Sequence, residues 1–310
     1  MKKKNHIDTN TRAGKVFDVV NVVFMIVMIF ITLYPLYYVL VCSVSDPKLL
    51  LAHEGPLAWW LGDFTLEGYQ LAMNNPNILL GFGNTMFNLV VGTLANMLLT
   101  VLAAFVLTRK YFYLRNFMMK MMIFTMFFSG GLIPLFFVVK HVGIYNTRWA
   151  NFLPYLISTY NVIIMRSFFA SLPESLEEAA LIDGANEGQI LRHVILPLSK
   201  PVLAVIALYY SVANWNSYFN ALVYITNEKL EPLQIVLRRV LIMNENAVNE
   251  ALMQTNSVST EQIVDKARRS YIAYTMKYSM VLISSLPMLI LYPFLQRYFV
   301  KGLLIGSLKG

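Results

Sequence analysis

The stretch EAALIDGANEGQILRHVILPLSKP, residues 178–201, is a polar segment between two strongly apolar parts of the chain. Just before it, Pro173 fits the first turn of a helix, with Ser171 or Leu172 as the cap, because the N–H that proline lacks has no partner there in any case. Acidic side chains follow in the first turns, where the helix dipole favours negative charge: Glu174, Glu177 and Glu178. These features predict a helix that begins near Pro173 and runs into the quoted stretch.

Two further signals divide the stretch into a pair of helices. Gly184 can adopt a positive φ, so it predicts the end of the first helix. Asn186, with Gln189 three residues later, predicts a reciprocal cap at the start of a second helix. Pro197 and Pro201 are expected to stop that second helix. The loop therefore predicts two short helices joined at a glycine bend.

The loop either faces water or binds another protein. A solvated face is the ordinary interpretation of a run of charges. However, Ala179, Ala180 and Gly184 are too small to fill a core well, and they would let another backbone approach closely. Residues 194–196, Val-Ile-Leu, are also apolar in a loop that would otherwise lie in water. We therefore interpret the loop as a docking surface.

The composition indicates a membrane protein. Of the 310 residues, 57% are hydrophobic and 14% are charged, whereas soluble domains carry roughly 25% charged residues. Basic cytoplasmic loops explain the net charge of +8, so we expect no nucleic-acid partner. Cys42 is the only cysteine and the 4 histidines are scattered. We therefore expect no internal disulfide, no metal site and no clustered groups of a membrane enzyme.

Six apolar segments are each long enough to cross a bilayer, which takes about 20 residues, and they predict an all-α membrane protein. They are 16–43, 78–107, 117–139, 149–169, 202–225 and 276–294. Gly130, Gly131 and Pro134 lie inside the third segment. They predict a break there, which a bilayer tolerates only where protein or a cavity satisfies the backbone.

The distribution of Lys and Arg orients these spans. Basic residues are concentrated in the N-terminal tail, in the loops after the second and fourth spans and near the C-terminus. Because positive charge favours the cytoplasm, both termini and the docking loop, 171–200, are expected there. The predicted domains are a tail, 1–15, a transmembrane domain, 16–299, with a long extracytoplasmic segment, 226–275, and a second tail, 300–310.

From Phe117 onward the sequence resembles the second permease subunit of maltose-type carbohydrate ABC importers. Glu-Ala-Ala, three residues, Gly184, nine residues and then Val194-x-Leu196-Pro197 match the EAA loop of that family, with Val194 in place of the consensus Ile. FSGGLIP in the third span and the GSLKG ending are similar to a subgroup often tied to oligosaccharide uptake. The stretches that carry the resemblance are FTMFFSGGLIPLFFVV, NVIIMRSFFASLPESLEEAALIDGANEGQI, VILPLSKPVLAVIALYYSVANWNSYFNALVYI and YPFLQRYFVKGLLIGSLKG.

The resemblance implies the six-helix fold of type I ABC-importer permeases in a bacterial cell membrane. It implies a heterodimer with a homologous permease, two cytoplasmic ATP-binding subunits and an extracytoplasmic solute-binding protein. Glu178 and Gly184 would then seat in a cleft of the ATPase. The coupling residues would be Glu178, Ala179, Ala180, Asp183, Gly184 and Pro197. The C-terminal tail would reach the ATPases through Gly306, Ser307, Lys309 and Gly310.

Nucleotide chemistry is expected on a partner. The sequence has no Gly-x4-Gly-Lys-Ser/Thr loop to cradle a nucleotide, so this chain would be a non-catalytic subunit without a cofactor, and ATP and Mg²⁺ would bind the ATPase. A secondary transporter would carry ionisable residues inside its spans, whereas the acids here lie in loops. A channel would not need the docking loop. An importer of a non-sugar solute is the alternative for the substrate.

Polar and aromatic side chains within the spans are candidates to line a sugar path. Four of them are predicted to share one face of a continuous fifth span: Tyr210, Asn214, Ser217 and Tyr218. Trp215 and Asn161 complete the set, although asparagine and serine inside membranes often bridge helices instead. In the outer segment, LQIVLRRVLI predicts an amphipathic helix. This helix either faces the solute-binding protein or lies on the bilayer.

Overall fold

The computed structural model describes residues 12–46, 49, 62–240, 271 and 276–293. Within these ranges the chain is helical apart from turns and bends and has no strand, which confirms the all-α fold class. The helices are α1 (Arg12–Val44), α2 (Glu67–Met73), α3 (Pro76–Thr108), α4 (Arg115–Phe127), α5 (Leu132–His141), α6 (Thr159–Phe169), α7 (Glu174–Ile182), α8 (Glu187–Leu198), α9 (Lys200–Trp215), α10 (Tyr218–Tyr224), α11 (233–240) and α12 (Met276–Pro293).

The chain divides into two compact units, Met1–Asn74 with Leu241–Ile283 and Asn75–Val240 with Ser284–Gly310. In the first unit, hydrogen bonds attach α2 to its neighbours. The Tyr69 hydroxyl donates to Ser43 Oγ of α1 at 2.8 Å, and the Tyr271 hydroxyl donates to Glu67 Oε2 at 2.9 Å. The predicted docking loop and the predicted substrate path both lie in the second unit.

Three helices in the described ranges are long and apolar enough to cross a membrane by themselves, namely α1 from Gly14 onward, α3 and α12. They correspond to the first, second and sixth predicted spans. Two bent pairs raise the number to five if each pair is one span. These pairs are α4 with α5, bent by 119°, and α8 with α9, bent by 85°. The chain is therefore a multi-pass membrane protein by helix length and composition.

The predicted break in the third span is confirmed. Helix α4 ends at Phe127 and α5 begins at Leu132. Between them Gly131 has a φ of +83°, a conformation that glycine adopts without steric cost. The sequence signal worked here because the cause of the break is local.

The fourth predicted span differs from its expectation. Only Thr159–Phe169, 11 residues, is α-helical. The residues before it form two short 3-10 turns, Arg148–Asn151 and Leu153–Tyr155. Eleven residues rise about 16 Å, roughly half of the hydrocarbon core, so α6 is not a full span by itself. Pro154, in the second turn, is one reason why the apolar run does not continue as an α-helix.

The fifth predicted span is also not continuous. Helix α9 ends at Trp215, and α10 begins at Tyr218 after a turn at Asn216 and Ser217. The expectation that Tyr210 shares one helix face with Ser217 and Tyr218 is therefore wrong. The Trp215 carbonyl accepts from the Gln234 side chain of α11, and the N–H of Tyr218 donates to the Asn216 carbonyl at 2.7 Å, so the backbone groups at the break are bonded outside a continuous helix.

Helices α3, α6 and α9 pack around one apolar cluster of the second unit. Its fully buried members include Ala104 of α3, Val162 and Met165 of α6 and Ile206 of α9. Near this cluster the three elements are also joined by polar contacts. Tyr210 Oη shares a 2.7 Å hydrogen bond with Thr100 Oγ1 and accepts a 3.1 Å bond from the backbone N–H of Ser158.

A second set of polar contacts joins α3 to α9 and to the turn before α6. Asn214 Nδ2 donates to Asn96 Oδ1 at 3.0 Å and to Thr93 Oγ1 at 3.2 Å. The Asn96 amide in turn donates to the carbonyl oxygens of Tyr155 and Leu156, at 3.1 and 2.8 Å. We call these contacts, with those of Tyr210, the α3–α9 seam. Paired amides of this kind hold helices together because unpaired ones are costly in hydrocarbon.

Replacing Gly92 with alanine should destabilise the protein by about 1–3 kcal/mol through overpacking of the seam. A Cβ at this position would lie 3.0 Å from Asn214 Nδ2. Asn214 cannot withdraw without losing its bonds to Thr93 and Asn96. Gly83→Ala is the matched control in the same helix, since no described atom lies within 4 Å of its Cβ. Thermal unfolding in detergent should separate the variants, and equal midpoints would contradict a close approach at Gly92.

Candidate functional site

The first helix of the loop, α7, begins one residue later than expected. Glu174 is its first residue and Pro173 takes the position before it. The Ser171 hydroxyl does not cap α7 but donates to the carbonyl oxygen of Phe168 at 2.7 Å. The assignment of Ser171 or Leu172 as the cap is therefore wrong, because the preceding turn already uses the Ser171 side chain.

The predicted bend at Gly184 is confirmed. Gly184 has a φ of +80°. Its N–H donates to the carbonyl oxygen of Leu181 at 3.0 Å, and the N–H of Ala185 donates to that of Ala180 at 2.9 Å. This pair of bonds is the Schellman arrangement, which ends a helix through a residue in the left-handed conformation. The bend is thus a defined structure.

The predicted cap of the second helix is also confirmed. Asn186 Oδ1 accepts from the N–H of Gln189 at 2.9 Å, and Gln189 Oε1 accepts from the N–H of Asn186 at 2.8 Å. This reciprocal pair satisfies two backbone donors at the start of α8. Only Ala185 separates the glycine from this cap, so the two helices are joined by a short and well-determined connection.

The expected roles of the two prolines require correction. Helix α8 widens to a π-helical turn over Leu191–Ile195, continues through Pro197 and ends at Leu198. Pro201 lies in the first turn of α9 and so begins that helix. The wide turn directly precedes Pro197, whose ring lacks a donor and crowds the carbonyl four residues earlier. The chain turns by 85° after Leu198.

The apolar residues at 194–196 do not form part of an outer docking surface. Ile195 is 1% exposed and belongs to the apolar cluster of α3, α6 and α9, and Val194 and Leu196 pack against the same cluster. Ile190 is fully buried there as well. The interpretation of residues 194–196 as partner contacts is therefore wrong. They attach α8 to its own chain.

Helix α7 has an inner and an outer face. Ala180 is half-buried against the apolar cluster, and Glu177 is half-buried beside the end of α3. On the opposite side, at helical spacing, Glu178, Ala179 and Ile182 are exposed. We call these three residues the outer face of α7. Ile182 is 86% exposed, although a large apolar side chain gains free energy when it is covered.

Sequence reasoning missed Ile182. Its signal was present, because Ile182 lies four residues after Glu178 and so shares a helix face with it. The other predicted coupling residues, Asp183, Gly184 and Pro197, are exposed. In the described part of the chain, no atom comes within 4 Å of a Cβ built on Gly184. The space beside the bend is therefore open to another molecule.

Sequence reasoning also missed Arg109, the first residue after α3. Its guanidinium forms an ion pair with Glu177 of α7. Its Nε lies 3.6 Å from Glu187 Oε2 of α8, an ionic contact longer than a hydrogen bond. The guanidinium carbon lies 4.0 Å from the centre of the Phe105 ring. Arg109 therefore touches both halves of the loop and the last turns of α3.

The predicted substrate-path residues fall into two groups. Tyr210 and Asn214 are buried and bonded within the α3–α9 seam. The others lie elsewhere: Asn161 in the first turn of α6, Trp215 against the Phe82 ring, and Ser217 and Tyr218 at the turn between α9 and α10. Ser217 Oγ is buried and has no hydrogen-bond partner among the described residues. Tyr218 is half-buried.

The segment after α10 is described only as far as residue 240. The amphipathic helix predicted from LQIVLRRVLI is present as α11, with Leu233 buried and Arg238 exposed. Asn84 Nδ2 holds the segment to α3 by donating to the carbonyl oxygen of Glu231 at 3.0 Å. Burial raises the pKa of the Glu231 carboxyl, although the Arg239 guanidinium lies 2.5 Å from it.

Several predicted features lie outside the described residues. These are residues 1–11 of the N-terminal tail, residues 241–270 and 272–275 of the outer segment, and the whole C-terminal tail with its four contact residues, Gly306, Ser307, Lys309 and Gly310. In the described ranges, no group of three or more His, Cys, Asp or Glu side chains could hold a metal ion.

Comparison with known proteins gives the family. The family model described as "Binding-protein-dependent transport system inner membrane component" matches residues 96–305, which include the loop and all of the seam except Thr93. The chain belongs to this family. It is therefore the non-catalytic membrane component of a binding-protein-dependent ABC importer, and the resemblance read from the sequence is confirmed.

Two relatives and one solved structure are similar over nearly the whole inner membrane component. Protein LplC of Bacillus subtilis (strain 168) is 40% identical over 98% of this chain and 99% of its own length. The polygalacturonan/rhamnogalacturonan transport system permease protein YtcP of the same organism is 33% identical over 96% and 99%. A chain of a bacterial ABC transporter that imports the acidic polysaccharide alginate has a TM-score of 0.81 and 29% identity, over 93% of this chain and 98% of its own.

Proposed function

We propose that this inner membrane component docks on a cytoplasmic ATPase through the outer face of α7 and helps to import a carbohydrate of the oligosaccharide class. The proposed docking site rests on one observation. Ile182 is 86% exposed beside an open space at Gly184. A partner that covers Ile182 would gain up to about 2–3 kcal/mol from that side chain alone.

The same residues provide the connection that force transmission needs. Ala180 packs inward while Ile182 faces outward, so a push on α7 reaches the apolar cluster directly. Binding of ATP by the ATPase pair would draw the docking loops of two permeases together. The membrane helices would then rock and open the path outward. ATP and Mg²⁺ belong to the ATPases in this scheme.

The carbohydrate assignment rests on the relatives. One relative is named as a polygalacturonan/rhamnogalacturonan transport system permease, and the solved structure is of a transporter for the acidic polysaccharide alginate. Ser217 and Tyr218 are the better-placed of the six candidate contacts, because the Ser217 hydroxyl is unsatisfied in the described part and Tyr218 is half-buried. Tyr210 and Asn214 already bond to neighbouring helices. Their geometry supports the helix-bridging alternative.

The proposed assembly contains a homologous second permease, two ATP-binding subunits and an extracytoplasmic solute-binding protein. Both chain ends and the loop would face the cytoplasm. The C-terminal residues Gly306, Ser307, Lys309 and Gly310 would add a contact with the ATPases. Helix α11 and the residues after it would face the solute-binding protein.

Purification of the tagged chain from its native membrane tests the proposal. We expect an ATPase subunit and a second permease to co-purify, and ATP to drive uptake into proteoliposomes that also receive the solute-binding protein. A panel of oligogalacturonides, alginate oligomers and malto-oligosaccharides identifies the ligand of that binding protein. Uptake driven by an ion gradient without ATP would contradict the proposal, and so would binding of a non-sugar solute alone.

A further inference from the structure

Arg109 occupies an unusual position between the loop and the membrane helices. It directly follows α3, and its side chain is only 12% exposed. The guanidinium pairs with Glu177 on the inner face of α7 and lies 3.6 Å from Glu187 in the first turn of α8. One cation at the end of α3 thus pairs with α7 on one side of the bend at Gly184 and lies beside α8 on the other.

The neighbouring pair is different in kind. Lys110 Nζ lies 2.6 Å from Glu174 Oε1, but the two side chains are 77% and 72% exposed. Exposed pairs of this type contribute little, because water and salt screen them. Arg109 and Glu177 are largely withdrawn from water, so breaking their contact leaves a poorly solvated charge. Of these two ion pairs between α7 and the residues after α3, that of Arg109 is the less exposed and is therefore expected to be the stronger.

The shape of the side chain fits two partners at once. The planar guanidinium of arginine presents several N–H groups in fixed directions and also stacks on aromatic rings. The Phe105 ring supports one face of it, with 4.0 Å between the guanidinium carbon and the ring centre. Arg109 Nε and Glu187 Oε2 are both buried and have no hydrogen-bond partner in the described part of the chain. A small shift of α8 toward Arg109 would join them.

We propose that Arg109 is a positioning residue that passes the displacement of α7 to α3. Phe105 is one turn before the end of α3, and it also belongs to the apolar cluster shared with α6 and α9. A movement of Glu177 therefore pulls on Arg109, and Arg109 pulls on the helix around which the others pack. The inference rests on the proposed function, since it needs an ATPase that moves the loop.

The test uses the complete importer, with the second permease, the ATPases and the binding protein, in proteoliposomes. The readout is sugar taken up per ATP hydrolysed, for the oligosaccharide that the binding-protein panel identifies. Arg109→Gln should lower this ratio roughly tenfold, the size expected for the loss of a charged hydrogen bond. Hydrolysis itself should continue, because the outer face of α7 is untouched. Arg109→Lys keeps the positive charge but lacks the planar guanidinium. Its ratio of sugar uptake to ATP hydrolysis should lie between those of the wild type and Arg109→Gln.

Glu177→Gln should behave like Arg109→Gln, and the double variant should be no worse than either one, because both act through one contact. Lys110→Gln is the matched control and should keep the wild-type ratio. The inference is overturned if the uptake-to-hydrolysis ratio of Arg109→Gln stays within about twofold of the wild-type ratio. It is also overturned if the losses of the Arg109→Gln and Glu177→Gln variants add in the double variant. If Arg109→Gln does not assemble, Arg109→Lys and Glu177→Gln decide by the same criteria. Failure of the wild-type complex to couple uptake to ATP would instead contradict the proposed function.

Discussion

Replacing Gly184 with tryptophan should strongly reduce ATP-driven uptake while the chain still inserts into the membrane. Gly184 holds a φ of +80°, and no described atom lies within 4 Å of a Cβ placed there. The indole would therefore enter the space proposed for the ATPase and would not clash with its own chain. Overpacking of the docked interface costs about 1–3 kcal/mol, and the upper value corresponds to roughly two orders of magnitude in affinity for the ATPase and hence in uptake.

Gly143 offers a matched control for the strain. It also has a φ of +80°, and again the described atoms leave 4 Å around its Cβ free. Gly143→Trp therefore introduces the same side chain in the same backbone conformation, in the turn after α5. We expect it to keep most of the uptake. Equal losses in Gly143→Trp and Gly184→Trp would show that backbone strain is responsible, and the docking role of Gly184 would be lost.

Changing Ile182 to lysine should detach the ATPase from the permease. The side chain is 86% exposed, so the substitution disturbs no packing within this chain. In the assembled importer it would both remove an apolar contact worth about 2 kcal/mol and place an ammonium group in a closed interface. The sum predicts a loss of affinity of more than about 100-fold. Quantitative co-purification in detergent at several salt concentrations would measure it.

Val142 supplies the comparison for Ile182. It is an exposed apolar residue, 67% accessible, in the turn that follows α5. Val142→Lys changes surface charge by the same amount away from the loop and should leave the complement of ATPase unchanged. If the Ile182→Lys variant co-purifies with as much ATPase as the wild type does, the proposed docking site is contradicted. So would an equal loss in Val142→Lys, since general charge effects would then explain both.

The parts of the loop that sequence predicted correctly are those with short-range causes. Gly184 and the Asn186–Gln189 cap each depend on residues within a few positions, and the hydrogen bonds formed as expected. The all-α class and the break near Gly131 followed from composition and local conformation in the same way.

Two of the failures have long-range causes. The sequence predicts an outside partner for residues 194–196 because it does not show that α3 and α6 lie beside them. Arg109 and Glu177 are 68 positions apart, and no periodicity links them. The short α6 and the turn after Trp215 arise where polar and proline residues interrupt an apolar run. The mean hydropathy of a whole apolar segment does not reveal such interruptions.

The seam at Asn96 restricts how the molecule can change shape during a transport cycle. This one amide donates to two carbonyl groups before α6 and accepts from Asn214 of α9. Separating these elements within the membrane would leave several polar groups without hydrogen-bond partners at once. We therefore expect α3, α9 and the residues before α6 to move together as one rigid body during transport. Bending between elements would then fall to connections such as the glycine pair after α4, where Gly131 has a φ of +83° and the chain already bends by 119°.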